Sequence, residues 1–151
     1  MRTGLTIGLP EDIQMTMEAV GARELCNVYG STETYGNCAV TDAHDPLELR
    51  LHTQGLPLPG MDIRVVDPAS GRTLPRGEVG EFRVQGYVTP GYYKQPELTA
   101  QMFDEEGFYR IGDAGRFVDP EDASQGIIFD GRVVEDFKLT SGTFVLVGTL
   151  R

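Results

Sequence analysis

The stretch Asn27-Val28-Tyr29-Gly30-Ser31-Thr32-Glu33-Thr34 sets an aromatic ring, a glycine, hydroxyls and a carboxylate side by side, just after an apolar run. The Thr32 hydroxyl can donate to a phosphate oxygen. The Glu33 carboxylate is a hard ligand suited to Mg²⁺, which binds through one or two carboxylates plus substrate phosphates. Tyr29 offers a flat face on which a planar base can stack. Gly30 lets the backbone approach a bulky ligand, because no Cβ stands in the way. The same octapeptide also suits a strand end followed by a helix cap, with Ser31 or Thr32 as the capping residue.

A second place where chemistry shows is Gly107-Phe108-Tyr109-Arg110-Ile111-Gly112-Asp113. A carboxylate that follows a glycine at a strand end can accept hydrogen bonds from both hydroxyls of a ribose. The alternative is an aspartate in a turn, bonded to its own backbone. A third is Gly131-Arg132, where the forked guanidinium can anchor a ribose hydroxyl or a phosphate.

These residues need elements to carry them. Pro10-Glu11-Asp12 followed by Ile13, Met17 and Val20 reads as a short amphipathic helix closed by Gly21. Glu24 to Val28 reads as a buried strand that delivers the octapeptide to its end, as ligand loops sit at the carboxyl edge of an α/β sheet. From Gly36 to Gly60 the chain reads as irregular, with His44 and His52 as surface residues. Asp62 to Asp67 and Glu81 to Gln85 read as paired strands around the turns at Pro68–Gly71 and Leu74–Glu78. Glu81 to Gln85 alternates polar and apolar, which predicts a half-buried strand. Tyr92 and Tyr93 read as packing residues ahead of a helix bearing Leu98, Met102 and Phe103. Ile127 to Arg132 is a further strand. The fold expected is α/β with a large β component: the edge of an α/β sheet, then a small distorted antiparallel β-barrel-like region, then a hinge segment.

Composition narrows the function. The 151 residues carry a formal net charge of −10, with 40% hydrophobic residues, 19 glycines and 9 prolines. That surface sign repels phosphate backbones and anionic lipid headgroups, so neither nucleic acid nor a membrane is expected as a partner. One local cluster with Mg²⁺ can still hold a nucleotide. The two cysteines, Cys26 and Cys38, form no CxxC and have no histidine at metal-ligand spacing, which speaks against zinc. They read as reduced thiols in a cytoplasmic protein. No signal peptide and no apolar run of membrane-spanning length is seen. A serine hydrolase fails on pattern, since Gly30-Ser31-Thr32-Glu33 lacks the second glycine of the nucleophile elbow.

The octapeptide, Gly80-Glu81-Phe82-Arg83-Val84-Gln85-Gly86 continuing to Tyr92, Tyr109-Arg110-Ile111-Gly112-Asp113 and Gly131-Arg132 with Lys138 stand in an order and spacing that resembles the adenylate-forming superfamily. That superfamily includes acyl-CoA synthetases, peptide-synthetase adenylation domains and luciferases. The likeness runs from about Asn27 to about Leu150. The stretch from Gly131 to Val145 resembles feruloyl-CoA synthases and related aryl-CoA ligases, which implies an aromatic or phenylpropenoid acid.

The resemblance implies two steps. A carboxylate attacks the α-phosphate of ATP to give acyl-AMP and pyrophosphate; the CoA thiol then displaces AMP. It implies that Glu33 helps hold Mg²⁺, Thr32 contacts phosphate, Tyr29 stacks on adenine, and Asp113 binds the ribose with help from Arg132. Gly30 and Ser31 would line the acyl entry. It implies a domain division, with residues 1–130 as the C-terminal part of a large AMP-binding domain and 131–151 as hinge and start of a small domain. The usual hinge aspartate is replaced by Val134, with Glu135 and Asp136 beside it.

The superfamily's phosphate loop and distal catalytic lysine find no counterpart. The chain is therefore expected to be a segment with little turnover of its own, prone to self-association through apolar surface left open. The competing expectation is a non-catalytic, stand-alone nucleotide-binding or interaction module.

Overall fold

In the computed structural model of the chain, residues 2–133 are described in full, and beyond them only the backbone of an antiparallel strand pair at 137–138 and 144–145. The chain begins with strand β1 (Thr3–Thr6), helix α1 (Pro10–Val20) and strand β2 (Glu24–Tyr29). β1 and β2 run parallel, joined by α1, as a parallel pair requires a crossover. α1 starts on Pro10 with Glu11 and Asp12 in its first turn and ends on Gly21 in the left-handed conformation, so the signals read from sequence act as helix start and stop. Its buried contact is Ile13, which packs with Ala22, Leu25 and Leu51.

Strands β3 (Ala39–Val40), antiparallel to β2, and β4 (Leu56–Pro57), antiparallel to β3, extend this sheet, giving the order β1-β2-β3-β4. Between them stands α2 (Leu47–His52), inside the stretch expected to be irregular. Six residues do not make a stable helix alone. Buried Arg50 supplies the tertiary support, donating to the backbone carbonyls of Asp45, Arg23 and Leu25.

The second sheet is antiparallel, in the order β5 (Asp62–Val66), β6 (Gly80–Gln85), β7 (Tyr109–Phe117) and β8 (Ile127–Arg132). It is open: β5 and β8 are its two ends, so the barrel-like region is a sheet and not a closed barrel among the described residues. Register shifts between Glu81 and Arg83 and between Asp113 and Gly115 bend it near its middle. Helix α3 (Pro96–Met102) leads into β7.

β6 departs from the half-buried expectation. Glu81 and Arg83 are buried along with Phe82 and Val84, because Arg83 is held between Glu81 at 3.3 Å and Asp104 at 2.8 Å. The polar face of the strand is thus covered by paired charges.

The two sheets share one core. Tyr29, Cys38 and Ala39 of the first pack with Ile63, Val65, Phe82, Val84, Ile111 and Ile127 of the second. The seam is stitched by backbone bonds from Gln54 N to Ile127 O and from Ile127 N to Gly55 O.

Candidate active site

Tyr29 is the last residue of β2, and it reaches across the seam. Its ring lies against Phe82 and Phe129, with centroids at 5.5 and 6.0 Å. Its hydroxyl donates to Asp113 Oδ2 at 2.7 Å, a bond between residues 84 positions apart. Asp113 is 6% exposed and sits inside β7, at the register shift, rather than at a strand end as its sequence context suggested. Gly112 before it takes a φ of +78°, which brings the backbone round without a Cβ penalty.

Asp113 faces Arg132 across the ladder, and Arg132 Nε stands 3.0 Å from Asp113 Oδ1. That contact is ionic without hydrogen-bond geometry, so Oδ1 is buried with no hydrogen bond. Burial raises the Asp113 pKa, while the Tyr29 bond and the Arg132 charge act to lower it; the net direction is up. Burial also raises the Tyr29 hydroxyl, with the Asp113 charge adding to it.

These groups line a cavity of about 470 Å³, whose other walls include Ile7, Leu9, Pro10, Asn27 and Phe129. Asn27 Oδ1 is a second buried acceptor without a partner, although the Asn27 amide donates to Thr53 O at 2.8 Å. A cavity of this size, mostly apolar with a few polar residues in its walls, is of the kind that takes a small organic ligand. Asn27 was given no role of its own from sequence, and residues 7–9 were not singled out. An asparagine inside an apolar strand was the available signal.

Gly30 also lines the cavity, but its lack of a side chain answers a different need. A Cβ there would lie 2.6 Å from Gly36 O and 2.8 Å from Asn37 Cα, so the glycine lets its own loop close. Ser31 caps a single 3-10 turn over Thr32–Thr34: Thr34 N donates to Ser31 O, and Ser31 N donates to the Thr34 hydroxyl at 2.9 Å. The capping reading is met in part: Ser31 is the N-cap, but the side chain that closes the turn is that of Thr34. The turn leaves Thr32 exposed and Glu33 half-buried, outside the cavity lining.

Glu33 Oε1 accepts from the Tyr92 hydroxyl at 3.0 Å. Burial works to raise the Glu33 pKa, but its own backbone N–H and the Tyr92 hydroxyl, together with the Arg132 charge, outweigh it and lower the pKa. Arg132 thus acts on both carboxylates.

Among the described residues no three His, Cys, Asp or Glu side chains are gathered to hold a metal. A metal here would rest on the single hard carboxylate of Glu33 and on ligand oxygens. That donor set suits Mg²⁺, which keeps waters and substrate phosphates and needs no protein cage. The residues expected at a hinge, Val134, Glu135 and Asp136, and the side chain of Lys138 lie outside the described residues.

A mixed sheet, an antiparallel sheet and a cavity at their seam define an α/β domain of the adenylate-forming type. The family model for AMP-binding enzymes matches residues 7–93, and the chain belongs to that family. It is 42% identical over 109 residues to a medium-chain fatty-acid–CoA ligase of Escherichia coli K12, covering 72% of this chain and 19% of that one. It is 39% identical over 118 residues to a 2-hydroxy-7-methoxy-5-methyl-1-naphthoate–CoA ligase of Streptomyces carzinostaticus, covering 77% and 20%. The fold superposes on ATP-bound MatB from Rhodopseudomonas palustris with a TM-score of 0.76 at 28% identity, covering 94% of this chain and 27% of that one. The chain therefore spans about a fifth of the length of these ligases.

Proposed function

We propose that the chain forms the adenosine and Mg²⁺ side of an ATP-dependent acid–CoA ligase site, for an aromatic or other acyl acid. The observation that carries this is one cavity walled by Asn27 and Asp113, each with a buried acceptor, Asn27 Oδ1 and Asp113 Oδ1, that receives no hydrogen bond. Adenosine offers complementary donors: an exocyclic amine and two ribose hydroxyls. Buried acceptors that receive no hydrogen bond are unfavourable, so a ligand that donates to both gains specificity as well as affinity.

The chain's residues then divide the work. Asp113 accepts from the ribose, held in orientation by the Tyr29 hydroxyl. Arg132 balances the charges of Asp113 and Glu33. Thr32 and Ser31 face the phosphates and the acyl entry from the exposed turn, beside Gly30. Glu33 is the residue that would hold Mg²⁺. When bound, that ion supplies charge stabilisation to the phosphate oxygens. Tyr29 serves this reading through its hydroxyl and, along its rim, as part of the base-binding wall.

The acid, ATP and CoA are the partners of this reading, and the naphthoate ligase among the relatives is the observation that favours an aryl acid. Residues 1–130 would be the later part of the large domain and 131–151 the hinge and the start of the small one. Two free buried thiols, with burial pushing Cys38 up to about 12, suit a reducing compartment such as the cytoplasm. No helix among the described residues is long and apolar enough to cross a membrane.

Calorimetric titration of the chain with a non-hydrolysable feruloyl-adenylate analogue tests the proposal. Saturable binding is expected, weakened at least tenfold by Asp113→Ala, since a carboxylate that accepts from a ligand is worth about 1.5–3 kcal/mol. A folded chain that binds no adenylate, or binds it equally well after the substitution, refutes it. Lys94, the single lysine among the described residues, lies over the exposed Tyr93 ring and not in the cavity. Binding without turnover is accordingly expected of the chain alone.

A further inference from the structure

Tyr92 read from sequence as a packing residue, yet its hydroxyl is shared between two polar partners. It donates to Glu33 Oε1 at 3.0 Å and lies 3.1 Å from the hydroxyl of Tyr109. Tyr109 is buried in β7, its ring edge-on to Phe103, so it forms a fixed post. With the Tyr109 proton directed at Tyr92, the Tyr92 proton is left for Glu33. The same loop grips the motif a second time through its backbone, because Thr89 N donates to Glu33 O at 2.7 Å.

The loop itself is seated on α3. Tyr92 N donates to the Thr99 hydroxyl at 2.9 Å, and that hydroxyl donates to Gln95 O. Gly91 makes the seating close: at its φ of +142°, a Cβ would lie 2.5 Å from Thr99 Cγ2. Residues 89–92 thus tie α3 and β7 to the turn that carries Glu33.

We propose that Tyr92 is a positioning residue for Glu33, fixing the carboxylate in one rotamer before any ligand arrives. A half-exposed glutamate otherwise samples many rotamers, and ordering it opposes binding. A carboxylate already ordered binds its ligand without that loss. The Tyr92 restraint arrives from 59 residues away.

The inference rests on the proposed function only for the identity of what Glu33 holds, so its test has two separate readouts. The first uses the ligand-free chain: three-bond couplings of the Glu33 side chain, measured by NMR, report rotamer averaging. A single χ1 rotamer is expected in the parent chain and averaged couplings in Tyr92→Phe, which keeps the ring and removes the hydroxyl. Tyr109→Phe should cause a smaller change in the same direction. Averaged couplings in the parent, or unchanged couplings in Tyr92→Phe, overturn the proposal.

The second readout is ATP affinity with Mg²⁺ and with EDTA. Tyr92→Phe is expected to weaken binding about three- to tenfold with Mg²⁺ and to leave binding in EDTA unchanged, with no added loss in a Glu33→Gln background. Equal loss under both conditions would make Tyr92 a structural residue and overturn the proposal. Absence of ATP binding by the parent chain would refute the proposed function while leaving the coupling result to decide this one.

Discussion

Asp113 has one oxygen bonded by the Tyr29 hydroxyl and the other beside Arg132 without a hydrogen bond, and this asymmetry defines the site. It also makes the site's stability depend on pH. The folded-state pKa of Asp113 is raised by burial, so the carboxylate destabilises the fold at neutral pH, and that penalty is relieved as pH falls through the raised pKa. The Tyr29 bond opposes the rise. Tyr29→Phe should therefore destabilise the chain by about 1–3 kcal/mol near pH 7, where an ionised buried carboxylate loses a donor. The deficit should shrink toward pH 4, where Asp113 takes a proton in both variants. Urea unfolding at the two pH values measures this; a deficit that is the same at both would refute the Tyr29–Asp113 link.

At the scale of elements, Arg64, Arg83 and Arg110 stand in register across β5, β6 and β7. Like charges directly opposite destabilise a sheet unless they are balanced. The balance comes from Glu106 on Arg64 at 2.7 Å, and from Glu81 of the same strand with Asp104 on Arg83. Asp104 also accepts from the backbone of Glu106 and Phe108, which fixes the turn into β7. Arg83→Met should leave two largely buried carboxylates without their cation and destabilise by about 3–5 kcal/mol. A loss under about 1 kcal/mol in urea unfolding would show that β6 tolerates the charges unpaired. The alternation in Glu81 to Gln85 was visible in sequence, but that the polar side would be covered was not. Cover came from Asp104, 21 residues away, and local pattern carries no information on that.

The whole molecule is two sheets joined at a seam, and its functional groups lie on that seam. Its other feature is the edge of β1, paired on one side only among the described residues, with Leu5, Ile7 and Leu9 exposed at 62%, 67% and 62%. An uncharged edge strand beside exposed apolar side chains is a site for association. We expect the weight-average mass of the chain to rise with concentration in sedimentation velocity, and Leu5→Lys to move it back toward the monomer. A mass that stays monomeric at all concentrations would refute this expectation.

The sequence by itself carried what depends on near neighbours. Pro10 and Gly21 bound α1, the octapeptide placed the hydroxyls and carboxylate of residues 31–33 on one turn, and the order of four motifs marked the AMP-binding family. Each of these signals is complete within a few residues or within the order of the motifs. The tertiary structure alone decided the rest: the Tyr29 bond to Asp113, the hold of Tyr92 on Glu33, the burial of Arg83, the folding of α2 around Arg50 and the burial of an Asn27 acceptor without a hydrogen-bond donor. All five turn on contacts between distant parts of the chain, or on a cavity those contacts enclose. A hydroxyl, a guanidinium or a carboxylate does not reveal its partner until the sheets bring the two together, and at the seam that partner decides whether it packs, balances charge or waits for a ligand.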